Sequence, residues 1–326
     1  MTPGPLRIGT RKSPLALWQA EKVRELLGLR GHAAELVTMT TTGDQIVDRP
    51  LSQVGGKGLF VKELEEALSD GRADLAVHSA KDVPYQLPDG FSLCAFPARE
   101  DPRDALVAPR AGTFEKLPKG AKVGTSSLRR AVQLLAARPD LAIVPVRGNV
   151  QTRLGRASAN STGGEDRAPL DAVVLALAGL RRLGLEGHVT QVLPLELSLP
   201  AAGQGALAIE ARDGSRGQEA GRLLDDPLTA RCVIAERALL ARLSGSCTVP
   251  IAAYAVLEGD QLWLRACLGG PDGEGGTRLL RGEERGPASD AAALGRRVAE
   301  EMLAAGAGPL LAAASAQMTG LPAPKR

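Results

Sequence analysis

Three times in the middle of the chain, a short apolar run gives way to small, hydroxyl and arginine residues where a helix should begin. Residues 121–124 lead into Thr125-Ser126-Ser127-Leu128-Arg129-Arg130, and residues 141–146 into Arg147-Gly148-Asn149-Val150-Gln151-Thr152-Arg153. Residues 172–177 lead into Gly179-Leu180-Arg181-Arg182. Strands alternating with helices predict an α/β fold with parallel pairing. A helix N-terminus offers free N–H groups and the positive end of a dipole, and small or hydroxyl residues let an anion approach. Arginine adds a bidentate clamp for carboxylate or phosphate. The repetition predicts a cleft for a polyanionic ligand, with independent surface arginines as the plainer alternative.

The N-terminal part repeats the alternation. Residues 6–10 read as a strand, and Ser13-Pro14 opens a helix with Ser as N-cap and Pro at the first helical position. Leu15, Leu17, Trp18, Val23, Leu26 and Leu27 supply its apolar side, and Gly31 ends it. After a strand at 34–39, the polar connection 40–58 carries Gly55-Gly56-Lys57-Gly58 and reads as a flexible lid. It is no P-loop, because neither Ser nor Thr follows the lysine. Phe60, Val61, Leu64, Ala67 and Leu68 mark the next helix. Leu75 and Val77 then alternate as in a buried strand that breaks into His78-Ser79-Ala80-Lys81-Asp82, and Pro84 forbids further pairing. Ligands of open α/β sheets bind beyond the carboxyl ends of strands, so Asp82 beside Lys81 and His78 is a candidate catalytic or clamping carboxylate. A turn cap with a solvated lysine is the alternative.

Arg99-Glu100-Asp101-Pro102-Arg103-Asp104 reads as one domain crossing and 193–200 as another, with strand-like residues 203–210 returning to the first domain. Residues 155–169 read as an exposed loop. From 227 the order changes to a long helix, the loop Ser244-Gly245-Ser246-Cys247-Thr248-Val249-Pro250, three strands and Ala-rich helices, which predicts a small α+β domain. The limits are 1–99 with 204–224, 104–199, and 227–326. Cys94, Cys232 and Cys267 sit in apolar segments as core residues, whereas Cys247 has small neighbours that leave its sulfur open to reaction. No cysteine pair has metal spacing. The net charge of +3 and the aromatic content of 2% argue against a nucleic-acid partner. No apolar run reaches membrane-span length and no h-region opens the chain, so the expected compartment is the cytoplasm.

These stretches, with residues 7–20, His78-Ser79-Ala80-Lys81-Asp82-Val83-Pro84, Gly203-Gln204-Gly205-Ala206 and Gly245-Ser246-Cys247, resemble the porphobilinogen deaminase family over nearly the whole chain. The resemblance implies two periplasmic-binding-protein-like α/β domains with a central cleft, plus the small C-terminal α+β domain. It implies a transferase of haem and porphyrin biosynthesis that joins four porphobilinogen molecules head to tail with loss of ammonia. Water then releases hydroxymethylbilane. A dipyrromethane cofactor, thioether-linked to Cys247, primes the chain, and Asp82 is the catalytic carboxylate. By correspondence Lys81, Thr125, Ser127, Arg129, Arg130 and Arg147 hold the cofactor. Arg11, Ser13, Arg153 and Arg182 bind substrate or growing chain, and Lys57 and Phe60 belong to the lid. The resemblance further implies a monomer, while spacing, charge and hydropathy predict no metal and no nucleic-acid or membrane partner.

The chemistry of the residues agrees. Loss of ammonia leaves a cation that a carboxylate can stabilise, and each pyrrole carries acetate and propionate groups for the arginine turns. Gln53 stands where the family often has Lys, Ala98 where it often has Cys, and residues 155–169 form a longer connection. Two rivals stay open on sequence: a non-catalytic anion receptor, which has no need of Cys247, and a transferase acting on a phosphorylated substrate.

Overall fold

The computed structural model describes residues 4–41, 61–157, 170–243, 249–272 and 276–320. The chain opens with β1 (Leu6–Arg11), then α1 (Pro14–Gly28), where the Ser13 hydroxyl accepts from Ala16 N at 3.3 Å. Pro14 sits at the first helical position, where an N–H would lack an intrahelical partner anyway. β2 (Ala34–Met39), α2 (Lys62–Ser69), β3 (Leu75–Ser79) and β4 (Phe91–Ala95) follow. The chain then crosses into β5 (Asp104–Val107), β6 (Lys122–Gly124), α3 (Leu128–Ala137), β7 (Ala142–Val144), α4 (Val150–Gly155), β8 (Ala172–Ala176), α5 (Leu177–Arg182) and β9 (Gln191–Val192). It crosses back into β10 (Leu207–Arg212) and α6 (Arg216–Arg222).

The first sheet has the order β2-β1-β3-β10-β4 and the second β7-β6-β8-β5-β9. Both follow one plan. Three strands are mutually parallel, and an antiparallel strand, β10 or β5, lies beside them. In each sheet that antiparallel strand is the first one after a crossing, and the edge strand next to it is the last one before a crossing. The two crossings run side by side, with Glu100 N donating to Gly205 O at 3.1 Å. Gly205 has φ +87°, and a Cβ there would run into the Glu100 carbonyl oxygen, so only glycine permits this approach.

The cores follow period-two alternation. Leu6 and Ile8 of β1, Leu75 and Val77 of β3, and Leu207, Ile209 and Ala211 of β10 pack on α1 and α6. α1 departs from its expected apolar face. It buries Gln19, Ala20, Val23 and Leu27, whereas Trp18 is exposed. The second sheet is buried on both faces, Leu106, Val123 and Val174 on one and Ala105, Val107, Val173 and Leu175 on the other.

The third unit comprises α7 (Pro227–Arg242), β11 (Ile251–Glu258), β12 (Gln261–Pro271), β13 (Thr277–Pro287), α8 (Ala291–Ala304) and α9 (Ala307–Gly320). Its antiparallel sheet has second and third strands of 11 residues each, running past the ends at 268 and 281 that the sequence predicts. Leu239, Leu262, Leu264, Leu294 and Val298 are fully buried in its core, each contributing about 1.5–3 kcal/mol. A buried ion pair fastens this unit to the first crossing. Arg99 Nη1 and Nη2 meet Glu236 Oε1 and Oε2 at 2.6 and 3.1 Å, and Glu236 also accepts from Gly203 N and Ala255 N.

Candidate functional site

β3 ends in a single 3₁₀ turn, Ala80–Asp82. The turn is fixed from both sides. Ala80 N donates to Ala206 O at 3.0 Å, and Gln19 Nε2 on α1 donates to Ser79 Oγ at 2.8 Å. Asp82 is exposed and Lys81 half-buried. Burial pulls the Lys81 pKa down to about 8, with Asp82 and Asp104 opposing the shift and Arg130 and Arg129 adding to it. His78 does not join them. It is buried with Nε2 2.8 Å from Glu210 Oε2, both side chains enclosed within the first sheet's packing.

In the second sheet, Ser126 Oγ donates to Val146 O at 2.6 Å and so pins the turn after β6 to the end of β7. Thr125 Oγ1 accepts from Ser127 N at 3.1 Å, and Ser127 caps α3 by accepting from Arg130 N. Each hydroxyl accepts here and keeps its O–H to donate. Arg129 and Arg130 meet a carboxylate of the chain itself. Both are buried on Asp104, the fully buried first residue of β5. Arg129 Nη1 and Arg130 Nη2 each lie 2.8 Å from an Asp104 oxygen, and Ser198 Oγ and Gln204 Nε2 complete the set at 2.8 and 2.9 Å. Burial alone would raise the Asp104 pKa, but the two guanidiniums hold it far below the usual carboxylate range. On sequence, Asp104 has no role beyond the crossing. Its polar segment reads as a crossing, and nothing in the spacing shows that β5 turns this carboxylate inward.

Arg153 and Arg182 lie away from helix N-termini. Arg153 lies in the last turn of the short α4, its Nε donating to Gly148 O at 2.9 Å. Burial lowers its pKa, Arg130 and Arg147 lower it further, and Asp82 opposes. Arg182 ends α5, which begins immediately after β8. Its Nη2 donates to Gly205 O at 2.6 Å and its guanidinium stands 5.6 Å from the Trp18 ring centroid. Burial brings its pKa to about 10, and Glu100, rather than the Asp82 group, opposes the fall. Arg11 closes β1, half-buried, and the Ser13 hydroxyl caps α1. Arg147 is half-buried between β7 and α4. Lys57, Phe60, Gln53, Cys247 and most of the 155–169 connection lie outside the described residues.

The structure thus brings Lys81, Asp82, Asp104, Arg129, Arg130, Arg147 and Arg153 into one electrostatic group drawn from two sheets. Among the described residues, Lys81 and Arg153 have no ion-pair partner. Arg129 Nε is buried without a hydrogen-bond acceptor. Cations held below their usual basicity, an orphaned guanidinium N–H and two hydroxyl donors fit a ligand carrying several carboxylates.

The sequence matches the family model described as porphobilinogen deaminase, dipyromethane cofactor binding domain, over residues 6–219. It matches porphobilinogen deaminase, C-terminal domain, over 230–304. Among solved structures it is similar to the periplasmic aliphatic sulphonate binding protein from Escherichia coli, at 17% identity, 99% of this chain, 77% of that chain and a TM-score of 0.36. It is also similar to a Salmonella typhimurium periplasmic binding protein described as highly specific for arginine (16%, 70%, 94% and 0.38). A YaeC-family lipoprotein from Enterococcus faecalis gives 13%, 68%, 91% and 0.40. Likeness at this level says nothing of ligand or activity.

Proposed function

The chain belongs to the porphobilinogen deaminase family and is a tetrapyrrole-forming transferase that works with a dipyrromethane cofactor, and we propose that Asp82 is its catalytic carboxylate. The observation that carries this reading is the group of cations from two sheets within electrostatic reach of Asp82, at the end of β3. When bound, the dipyrromethane supplies the primer to which the first porphobilinogen is joined. Lys81, Thr125, Ser127, Arg129, Arg130 and Arg147 hold it, and Arg11, Ser13, Arg153 and Arg182 bind the incoming substrate or growing chain. Lys57 and Phe60 cover the cleft.

Each cycle breaks one C–N bond, releases ammonia, forms one C–C bond and displaces one pyrrole proton. Asp82 stabilises the positive charge that develops on porphobilinogen as ammonia departs, and it accepts from the pyrrole N–H. Its exposure keeps the carboxylate accessible to substrate. The buried cations orient acetate and propionate groups around it, which supplies proximity without chemistry of their own.

Covalent attachment falls to Cys247. Burial pushes the Cys94 thiol up to about 12 and the Cys232 and Cys267 thiols up to about 11, so those three stay protonated and inert near neutrality. The three sheets support division at 1–99 with 204–224, 104–199 and 227–326. The reading further includes a cytoplasmic monomer acting on porphobilinogen, with no nucleic-acid or membrane partner. No described helix is long and apolar enough to cross a membrane.

The test is the intact mass of the denatured protein beside a Cys247→Ser variant. A mass excess equal to two linked pyrroles, absent from the variant, is expected. A bare polypeptide mass that persists after incubation with porphobilinogen overturns the covalent assignment and favours a receptor.

A further inference from the structure

Gln204 has no role in the site as read from the sequence, yet it stands where all three sheets meet, 1% exposed. Its backbone is fixed on every side. Gly203 N donates to Glu236 Oε2 at 2.6 Å, the Gln204 carbonyl accepts from Arg99 Nε at 2.9 Å, and Gly205 O accepts from Arg182 Nη2 at 2.6 Å. Gly203 has φ +72°, and a Cβ there would come within 2.9 Å of Ala80 Cβ and 3.1 Å of Lys81 N. The crossing therefore rests directly on the turn that carries Asp82.

The side chain reaches both ways. Nε2 donates to Pro102 O at 2.6 Å and to Asp104 Oδ1 at 2.9 Å, while Oε1 accepts from Lys81 Nζ at 3.4 Å. This orientation is forced, because a carbonyl and an ionised carboxylate only accept and an ammonium only donates. A flipped amide would lose all three contacts.

We propose that Gln204 is a positioning residue whose amide links the Lys81 ammonium to the Asp104 carboxylate while preventing them from pairing. Lys81 is thereby left for an anionic ligand, and Asp104 stays committed to Arg129 and Arg130. A direct Lys81–Asp104 pair would neutralise the one and draw the other away from two buried guanidiniums. The inference rests on the reading of Lys81 as a ligand-binding cation. Facing Lys81 are Asp82 from its own turn, Asp104 from β5, and Arg129 and Arg130 from α3. The Gln204 oxygen is the neutral acceptor among these charges.

The test is the titration of Lys81 Nζ, followed by NMR in the full chain labelled with ¹⁵N-lysine and assigned by the signal's loss in a Lys81→Arg sample. Gln204→Glu keeps the shape and places a carboxylate against the ammonium, so the midpoint rises by about one pH unit. Gln204→Met removes the acceptor while its similar length still holds Lys81 and Asp104 apart, which leaves burial less opposed, so the midpoint falls by about half a unit. Should the Met variant not fold, Gln204→Leu, which also lacks an acceptor and still fills the gap between Lys81 and Asp104, gives the same downward shift. The opposite signs are the signature. A merely structural role would admit water and move Lys81 upward in every variant, toward its free value. A rise in all variants, no change, or any other pattern overturns the proposal. The titration needs no turnover. Porphobilinogen consumption and intact mass measured on the same samples separate its failure from failure of the functional reading.

Discussion

Asp104→Asn keeps the shape of a fully buried side chain and removes its charge. In the parent, Asp104 accepts from Arg129, Arg130, Ser198 and Gln204, and no solvent reaches it. An amide accepts through one atom only, so a guanidinium donor faces an NH₂ group and two buried cations lose their counter-charge. Removing one partner of a buried pair costs about 3–5 kcal/mol. At about 2–4 °C per kcal/mol for a unit of this size, the unfolding midpoint falls by roughly 6–20 °C. Differential scanning calorimetry of the full chain at neutral pH reads this directly. The acid side supplies a second check. The folded pKa of Asp104 lies below its unfolded value, so the parent holds this stabilisation fully above about pH 4 and loses it as pH falls further. Asp104→Asn should flatten that acid decline. A midpoint within about 2 °C of the parent, with an unchanged acid limb, would show that the arginines have other acceptors and that Asp104 does not organise them.

Asp82→Asn supplies the contrast. Because Asp82 is exposed, the variant should melt within about 0.5 kcal/mol of the parent and keep its cofactor mass, yet lose nearly all turnover of porphobilinogen; near-normal turnover removes Asp82 from catalysis. As pH rises through about 8, Lys81 loses its proton and anion binding weakens, so KM should climb on the alkaline side. Lys81→Arg should remove that limb, since a guanidinium stays charged, and an unchanged profile assigns the limb to another group. Arg147→Ala should lower cofactor occupancy, seen as a bare-mass fraction in denaturing mass spectrometry; full occupancy refutes its binding role.

What could be read from the sequence was local. The Ser13-Pro14 start and the short apolar runs of β1, β3, β6 and β8 are set by neighbours within a turn, and they form as expected. The failures are those of distance. The hydrophobicity of Trp18 predicts an inward-facing side chain, but α1 instead turns Gln19 toward β3, where Ser79 gives its amide an acceptor. Arg129 and Arg130 are legible as basic residues, but their partner Asp104 is supplied by a strand from the first crossing. Arg182 closes α5 rather than opening it, because Leu177 and Ala178 already belong to the helix that follows β8.

The exchange of strands between the sheets also sets an order of events during synthesis. All strands of the second sheet lie between residues 104 and 192, so a ribosome that has released this stretch has supplied everything that sheet contains. The first sheet lies open for longer. β10 is wedged between β3 and β4, so those two have no common neighbour until residue 212 has emerged. The turn bearing Asp82 waits with it, because its acceptor at Ala206 and its support at Gly203 arrive on the same late segment. A nascent chain halted before residue 203 would carry every strand of the second sheet beside an N-terminal half still lacking the segment that holds the Asp82 turn.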